Sequence, residues 1–187
     1  MADITLTTRG NSRSAADAVE AAGEVREPYW DLIELLFFAY RDFVGDPDQV
    51  LEKLRFGRAH HRVLHFVNRN PGIKVAELLD VLKITKQSLG RVLKQLIDEG
   101  YILQKAGPDD RRQRLLYVTP AGATLAMKLA GLQTARISRV LDEIGPGARE
   151  SARRFLAGMI DAGDRDRVLR LIAAADRWRA HGPDDAS

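Results

Sequence analysis

Lys86, Gln87, Ser88, Arg91, Lys94 and Gln95 fall on one face of a helical stretch and set ammonium, amide, hydroxyl and guanidinium groups side by side. That mixture suits hydrogen bonding to base edges in a DNA major groove, most of all at the start of the helix. Arg111, Arg112 and Arg114 cluster later in the chain, beside the turn residues Gly107-Pro108-Asp109-Asp110. Between Lys86 and Arg114 seven basic residues stand against four acidic ones, so the positive charge is local rather than global. A charge stripe alone is commonly a solvated surface; two basic elements in adjacent positions point to a polyanion. Other chemistry is weakly supported. His61 and His65 stand at i, i+4, a metal-ligand spacing, with His60 beside them. No carboxylate or cysteine is placed with them by sequence, which favours ordinary histidines. No phosphate loop, nucleophile elbow or paired-carboxylate signature is present. The chain is read as a non-enzyme, with no catalytic residues, cofactor or metal assigned.

The elements that must position these groups follow from apolar spacing. Val75, Leu78, Leu79 and Leu82 mark one helix, and Leu89, Val92, Leu93, Leu96 and Ile97 mark a second. Lys83-Ile84 interrupts them, Thr85 is the expected N-cap of the second helix, and Gly100 is its expected stop. Two helices joined so tightly form a helix-turn-helix, whose second helix suits the major groove. Two positions depart from the ideal. Lys83 occupies a turn position that often holds Gly, and costs about 1 kcal/mol if its backbone is left-handed. Gly90, inside the second helix, costs about as much relative to Ala; it serves close packing, serves close approach, or is simply tolerated. Residues 101–103 and 115–118 read as strands around the basic turn. A helix-turn-helix followed by a basic-tipped hairpin is a winged helix.

The flanks complete a mostly α (α+β) fold: a winged helix-turn-helix with a helical dimerisation module. Residues 1–27 read as a mobile tail, although 15–22 suit a short helix, and 28–49 as a dimerisation helix stopped by Gly45-Asp46-Pro47-Asp48. That helix carries two apolar stripes, Ile33, Leu36, Phe37, Tyr40 and Val44, and Leu32, Leu35, Ala39 and Phe43. Two stripes imply burial on two sides, by the chain's own domain and by a second copy. Residues 50–119 form the winged lobe. Residues 120–180 supply further helices, capped by Thr119 with Pro120 at the first position and broken at Gly145-Pro146-Gly147 and around Gly163-Asp164. Residues 181–187 form a polar tail.

The chain of 187 residues accommodates one well-buried domain. Its net charge of +3 is mild. With no cysteine, a thiol redox sensor, a disulfide framework and Cys-ligated zinc are excluded. No apolar run approaches the roughly 20 residues of a membrane span. With no secretory core at the start, a cytoplasmic protein without membrane association is expected.

The order KITKQSLGRVLKQLIDEGYILQK followed by PDDRRQRLLYVTPAG resembles the core of MarR-type (multiple antibiotic resistance regulator) transcription factors. The most specific features are Asp110 and Arg112 at the wing and the apolar strand ending in Thr119-Pro120-x-Gly122. The resemblance covers roughly positions 50 to 125 and implies a homodimeric regulator, often a repressor, on a pseudo-palindromic operator in double-stranded DNA. It implies a small-molecule effector site between the dimer helices and the DNA-binding lobe. It also implies that Arg112 enters the minor groove while Asp110 orients its guanidinium. The expected DNA-binding set is then Thr85, Lys86, Gln87, Ser88, Arg91 and Lys94 on the recognition helix, and Asp110, Arg111, Arg112 and Arg114 at the wing. A different reading of the same residues is a winged-helix interaction module that docks protein or RNA.

Overall fold

In the computed structural model, residues 27–108, 110 and 112–181 are described. The suggested helix over 15–22, Arg111 at the wing tip and the tail from Gly182 lie outside them. The chain divides into two compact units between Phe38 and Ala39.

Helix α1 (Trp30–Glu52) crosses that boundary and does not stop where turn chemistry predicts. Pro47 lies inside it, where the missing N–H and the clash with the carbonyl four residues back normally break a helix. Burial offsets that loss. Val44, Pro47 and Leu51 are the buried residues of α1 and fall on one stripe, while Arg136 bonds Asp46 at 2.8 Å. The earlier part of both apolar stripes is exposed: Leu32, Ile33, Leu35, Leu36, Phe37 and Tyr40 all face outward, Phe37 at 69%.

Helix α2 (Arg58–Arg69) leads into a two-residue strand, β1 (Ile73–Lys74), which sequence periodicity does not reveal. Helix α3 (Val75–Leu82) follows, capped by the Glu77 carboxylate, which accepts the Lys74 N–H at 2.9 Å. Helix α4 (Lys86–Asp98) then precedes the hairpin of β2 (Ile102–Ala106) and β3 (Arg114–Val118). The sheet is antiparallel in the order β1-β3-β2, with Ile73 opposite Leu116 and Ile102 opposite Val118. One core joins these elements. Val63, Leu64 and Val67 of α2 meet Leu78 and Leu82 of α3, Leu89 and Leu96 of α4, and Ile102 and Leu116 of the hairpin.

Helix α5 (Pro120–Ile144) starts where the sequence places it, with the Thr119 hydroxyl oxygen accepting the Gly122 N–H at 3.0 Å. A Cβ at Gly122 would overlap the carbonyl oxygen of Tyr101, which explains the glycine in Thr119-Pro120-x-Gly122. Helix α6 (Ala148–Gly158) follows the Gly145-Pro146-Gly147 break. Helix α7 (Ala162–His181) already includes Gly163 and Asp164, so the last interruption precedes the expected pair. Arg165 explains the shift: its guanidinium donates to the Gly158 and Ile160 carbonyls at 2.8 and 3.0 Å, capping α6 from the first turn of α7. Among the described residues no helix is long and apolar enough to cross a membrane.

Candidate nucleic-acid interface

The turn between α3 and α4 sets the direction of the recognition helix. Lys83 adopts φ 52°, ψ 43°, the left-handed conformation that its position requires. Flanking burial holds it there, with Leu82 2% exposed and Ile84 packed on the core. Carbonyls at the end of α3 receive donors from two separate elements. Arg62 of α2 reaches the Leu82 oxygen at 2.9 Å and Arg167 of α7 the Asp80 oxygen at 3.3 Å. The Lys83 ammonium lies 3.4 Å from Asp164 and is the first cause holding that carboxyl below its usual range.

Thr85 caps α4 as expected: its hydroxyl oxygen accepts the Ser88 N–H at 3.2 Å and its O–H donates to the Ser88 hydroxyl at 2.9 Å. These two expected contacts therefore shape the helix start themselves. Leu89, Val92, Leu93 and Leu96 anchor the inner face. Lys86, Gln87 and Arg91 are exposed on the outer side. Farther along, Lys94 pairs with Asp98 one turn away. Gln95 is occupied within the fold, donating to Glu99 at 3.0 Å and accepting from His60 Nε2 at 2.9 Å.

The wing is a tight construction. Gly107 N–H donates to the Gln113 carbonyl and Gln113 N–H to the Asp110 carbonyl, each at 3.0 Å. A Cβ at Gly107 would lie 2.9 Å from the Asp110 oxygen, so the backbone approaches too closely for a side chain. The Asp110 carboxylate accepts the backbone N–H of Arg112 at 2.9 Å. With that bond Asp110 shapes the turn that carries Arg112, whose side chain is exposed. Lys105, counted among the basic cluster, lies 5.2 Å over the Tyr117 ring on the hairpin.

Between α4 and the wing runs a groove of about 760 Å³. Lys74, Lys86, Lys94, Arg112 and Arg114 line it, five basic side chains against the acids Asp98 and Asp110. The structure thus brings Lys86 and Lys94 together with the described wing arginines. It adds Lys74, which sequence reasoning missed because a two-residue strand gives no periodic signal. Gln87 and Arg91 sit on the adjacent outer face of α4.

The histidines divide by role. His60 stacks on Phe56 at 4.8 Å and its Nδ1 accepts the Gly57 N–H at 3.1 Å, so it is a structural residue at the start of α2. His61 and His65 border a cavity of about 540 Å³ with Tyr40, Phe43, Arg58 and Arg62. Burial pushes His61 below its ordinary range, opposed by Asp48. Among the described residues no group of three His, Asp or Glu side chains is arranged to hold a metal.

Comparison with known proteins agrees with this architecture. A family model described as MarR family matches residues 56–113. The HTH-type transcriptional regulator PetP of Rhodobacter capsulatus is 46% identical over 129 residues, covering 69% of this chain and 78% of PetP. Among solved structures, Streptococcus pneumoniae FabT in complex with DNA superposes with a TM-score of 0.62 at 17% identity, covering 71% of this chain and 94% of that one. A mutant MarR from E. coli complexed with operator DNA gives 0.55 at 20% identity, covering 71% and 95%. With a winged helix-turn-helix in place and a relative matched along most of its length, the chain belongs to the MarR family of transcriptional regulators.

Proposed function

We propose that this regulator binds a pseudo-palindromic operator as a homodimer and is released from it by a small molecule. The observation that carries the reading is the shared surface of α4 and the wing, where Lys86, Gln87, Arg91, Arg112 and Arg114 are all exposed. Gln87 and Arg91, near the start of α4, read base edges; Thr85 and Ser88 hold the helix entry against the strand. Lys86, Lys94 and Arg114 neutralise phosphates, joined by Arg111 at the wing. Arg112 enters the minor groove, where narrow A·T tracts have enhanced negative potential, and Asp110 fixes its backbone.

A second copy is needed on physical grounds. Large apolar side chains exposed on α1 form a surface that soluble proteins bury by association, with Trp30 at 62% and Phe37 at 69%. The two-fold relation then presents two recognition helices to half-sites about 10 bp apart or a multiple of that. The effector occupies the cavity beside Tyr40 and Phe43, bordered by Arg62 and by Arg58, which is ion-paired with Asp48 at 2.8 Å. Occupied operators next to promoters would be repressed ones.

Footprinting on an operator selected from random duplex tests the reading. Two protected half-sites in that register, together with sedimentation at twice the chain mass at micromolar concentration, are expected. A single protected site bound by a monomer would overturn it.

A further inference from the structure

We propose that Gly90 is the seat of a DNA sugar–phosphate strand, which lies against the backbone of α4 in the groove between that helix and the wing. The proposal rests on the DNA-binding reading above and assigns one residue a task within it. Glycine is among the least favourable residues inside a helix, and Gly90 is interior to α4 (Lys86–Asp98). Two reasons internal to a chain justify such a residue: a backbone conformation that L side chains avoid, or a neighbour too close for a Cβ. Neither applies. Gly90 does not have a positive φ, and an added Cβ would meet nothing within 4 Å. The space it leaves opens outward, because Gly90 is exposed and lines the basic groove.

Its neighbours name the occupant. Lys86 and Lys94 stand one turn before and one turn after it on the same flank, and both line the groove. Lys74 faces them from β1, and Arg112 and Arg114 close the far side from the wing. A bare patch of helix backbone between two ammonium groups, opposite three more cations, complements a polyanionic strand. A base edge is less well matched, because the groups that read bases, Gln87 and Arg91, lie on the adjacent outer face. A methyl group at position 90 would hold the strand off the helix and lengthen the contacts from Lys86 and Lys94.

Gly90→Ala and Gly90→Leu test this, each measured for thermal stability and for affinity on random-sequence duplex and on a selected operator across a salt series. Gly90→Ala should raise the melting temperature by about 2–4 °C, as a better helix former in an uncrowded site. It should nevertheless weaken binding about three- to tenfold on both duplexes alike, with a salt slope shallower by about one counterion. Gly90→Leu should bind more weakly still while remaining folded. Equal or tighter binding by Gly90→Ala would show mere tolerance and overturn the inference while leaving the DNA-binding reading intact. A loss confined to the operator would mean approach of a base edge and overturn the strand assignment. Failure of the wild-type protein to bind either duplex in a salt-dependent way would remove the DNA-binding reading and this inference with it.

Discussion

The winged lobe and the first turns of α1 use apolar side chains in opposite ways. In the lobe, Leu64, Leu78, Leu96 and Leu116 are at most 1% exposed, and α2, α3, α4 and the hairpin close on one another. Along residues 30–38, Trp30, Leu35, Phe37 and Phe38 are each more than half exposed. The lobe holds the contacts that fold it, whereas the α1 segment exposes apolar surface that the proposed second copy would cover. Stability of the lobe should therefore be a property of one chain, and order along α1 a property of two.

Leu96→Ala gives the largest effect that tests this contrast. It removes a fully buried side chain from α4 and should destabilise the lobe by about 2–5 kcal/mol. Denaturant unfolding followed by a lobe probe should show this loss equally at low and high protein concentration. A concentration-dependent loss would show that the lobe does not stand alone. Phe37→Asp should act the other way. A carboxylate in an apolar contact should raise the dimer dissociation constant at least tenfold, a cost of about 1.4 kcal/mol or more, and leave the lobe's unfolding midpoint in place. Sedimentation equilibrium reads the first effect; an unchanged dimer would remove α1 from the interface.

Arg91→Ala separates reading from assembly. Arg91 is exposed on α4, so its loss should leave sedimentation and unfolding unchanged. Discrimination between operator and random duplex should fall by about 1–3 kcal/mol, the worth of a good bidentate base contact. An equal loss on both duplexes would assign Arg91 to the backbone. The smallest effect concerns His61, in the cavity shared by Tyr40, Arg58, Arg62 and His65. Burial lowers its pKa, against the opposing pull of Asp48, so the folded chain takes up that proton less readily than the unfolded one. The group is therefore neutral in both states above about pH 6.5 and costs stability as pH falls below that value. His61→Phe should flatten this part of the stability–pH curve, and an unchanged slope would assign it to other groups.

The helix-turn-helix was legible because its signals are local. Leu78 and Leu82, then Leu89, Val92, Leu93 and Leu96, repeat at helical spacing, and Thr85 and Gly100 punctuate them as their chemistry demands. Features decided by distant partners were not legible. Gly45-Asp46-Pro47-Asp48 has every mark of a helix stop, yet burial of Val44, Pro47 and Leu51 carries α1 through it. The end of α6 is placed by Arg165, a residue of the following helix. Lys74 joins the groove through pairing with Leu115 on β3, which no run of two residues announces. The bond from the Arg112 backbone N–H to the Asp110 carboxylate depends on the turn geometry, which a run of Asp and Arg residues does not announce.

The joint between Thr119 and the hairpin has a mechanical consequence. The Thr119 hydroxyl donates to the Gly100 carbonyl at 2.7 Å, its N–H donates to the Tyr101 carbonyl at 3.0 Å, and Gly122 rests against the same carbonyl. The end of α4, the start of the wing and the first turn of α5 are thereby clamped at one point. From that point α5 extends for 25 residues, about 37 Å at the rise of an α-helix. It is a lever with its short arm bolted to the reading surface. A tilt of about three degrees at one end moves the other by about 2 Å over that length, more than the whole distance range of a hydrogen bond. In the proposed dimer, rotations too slight to disturb a packed core would therefore suffice to bring the two copies of α4 into, or out of, register with paired half-sites.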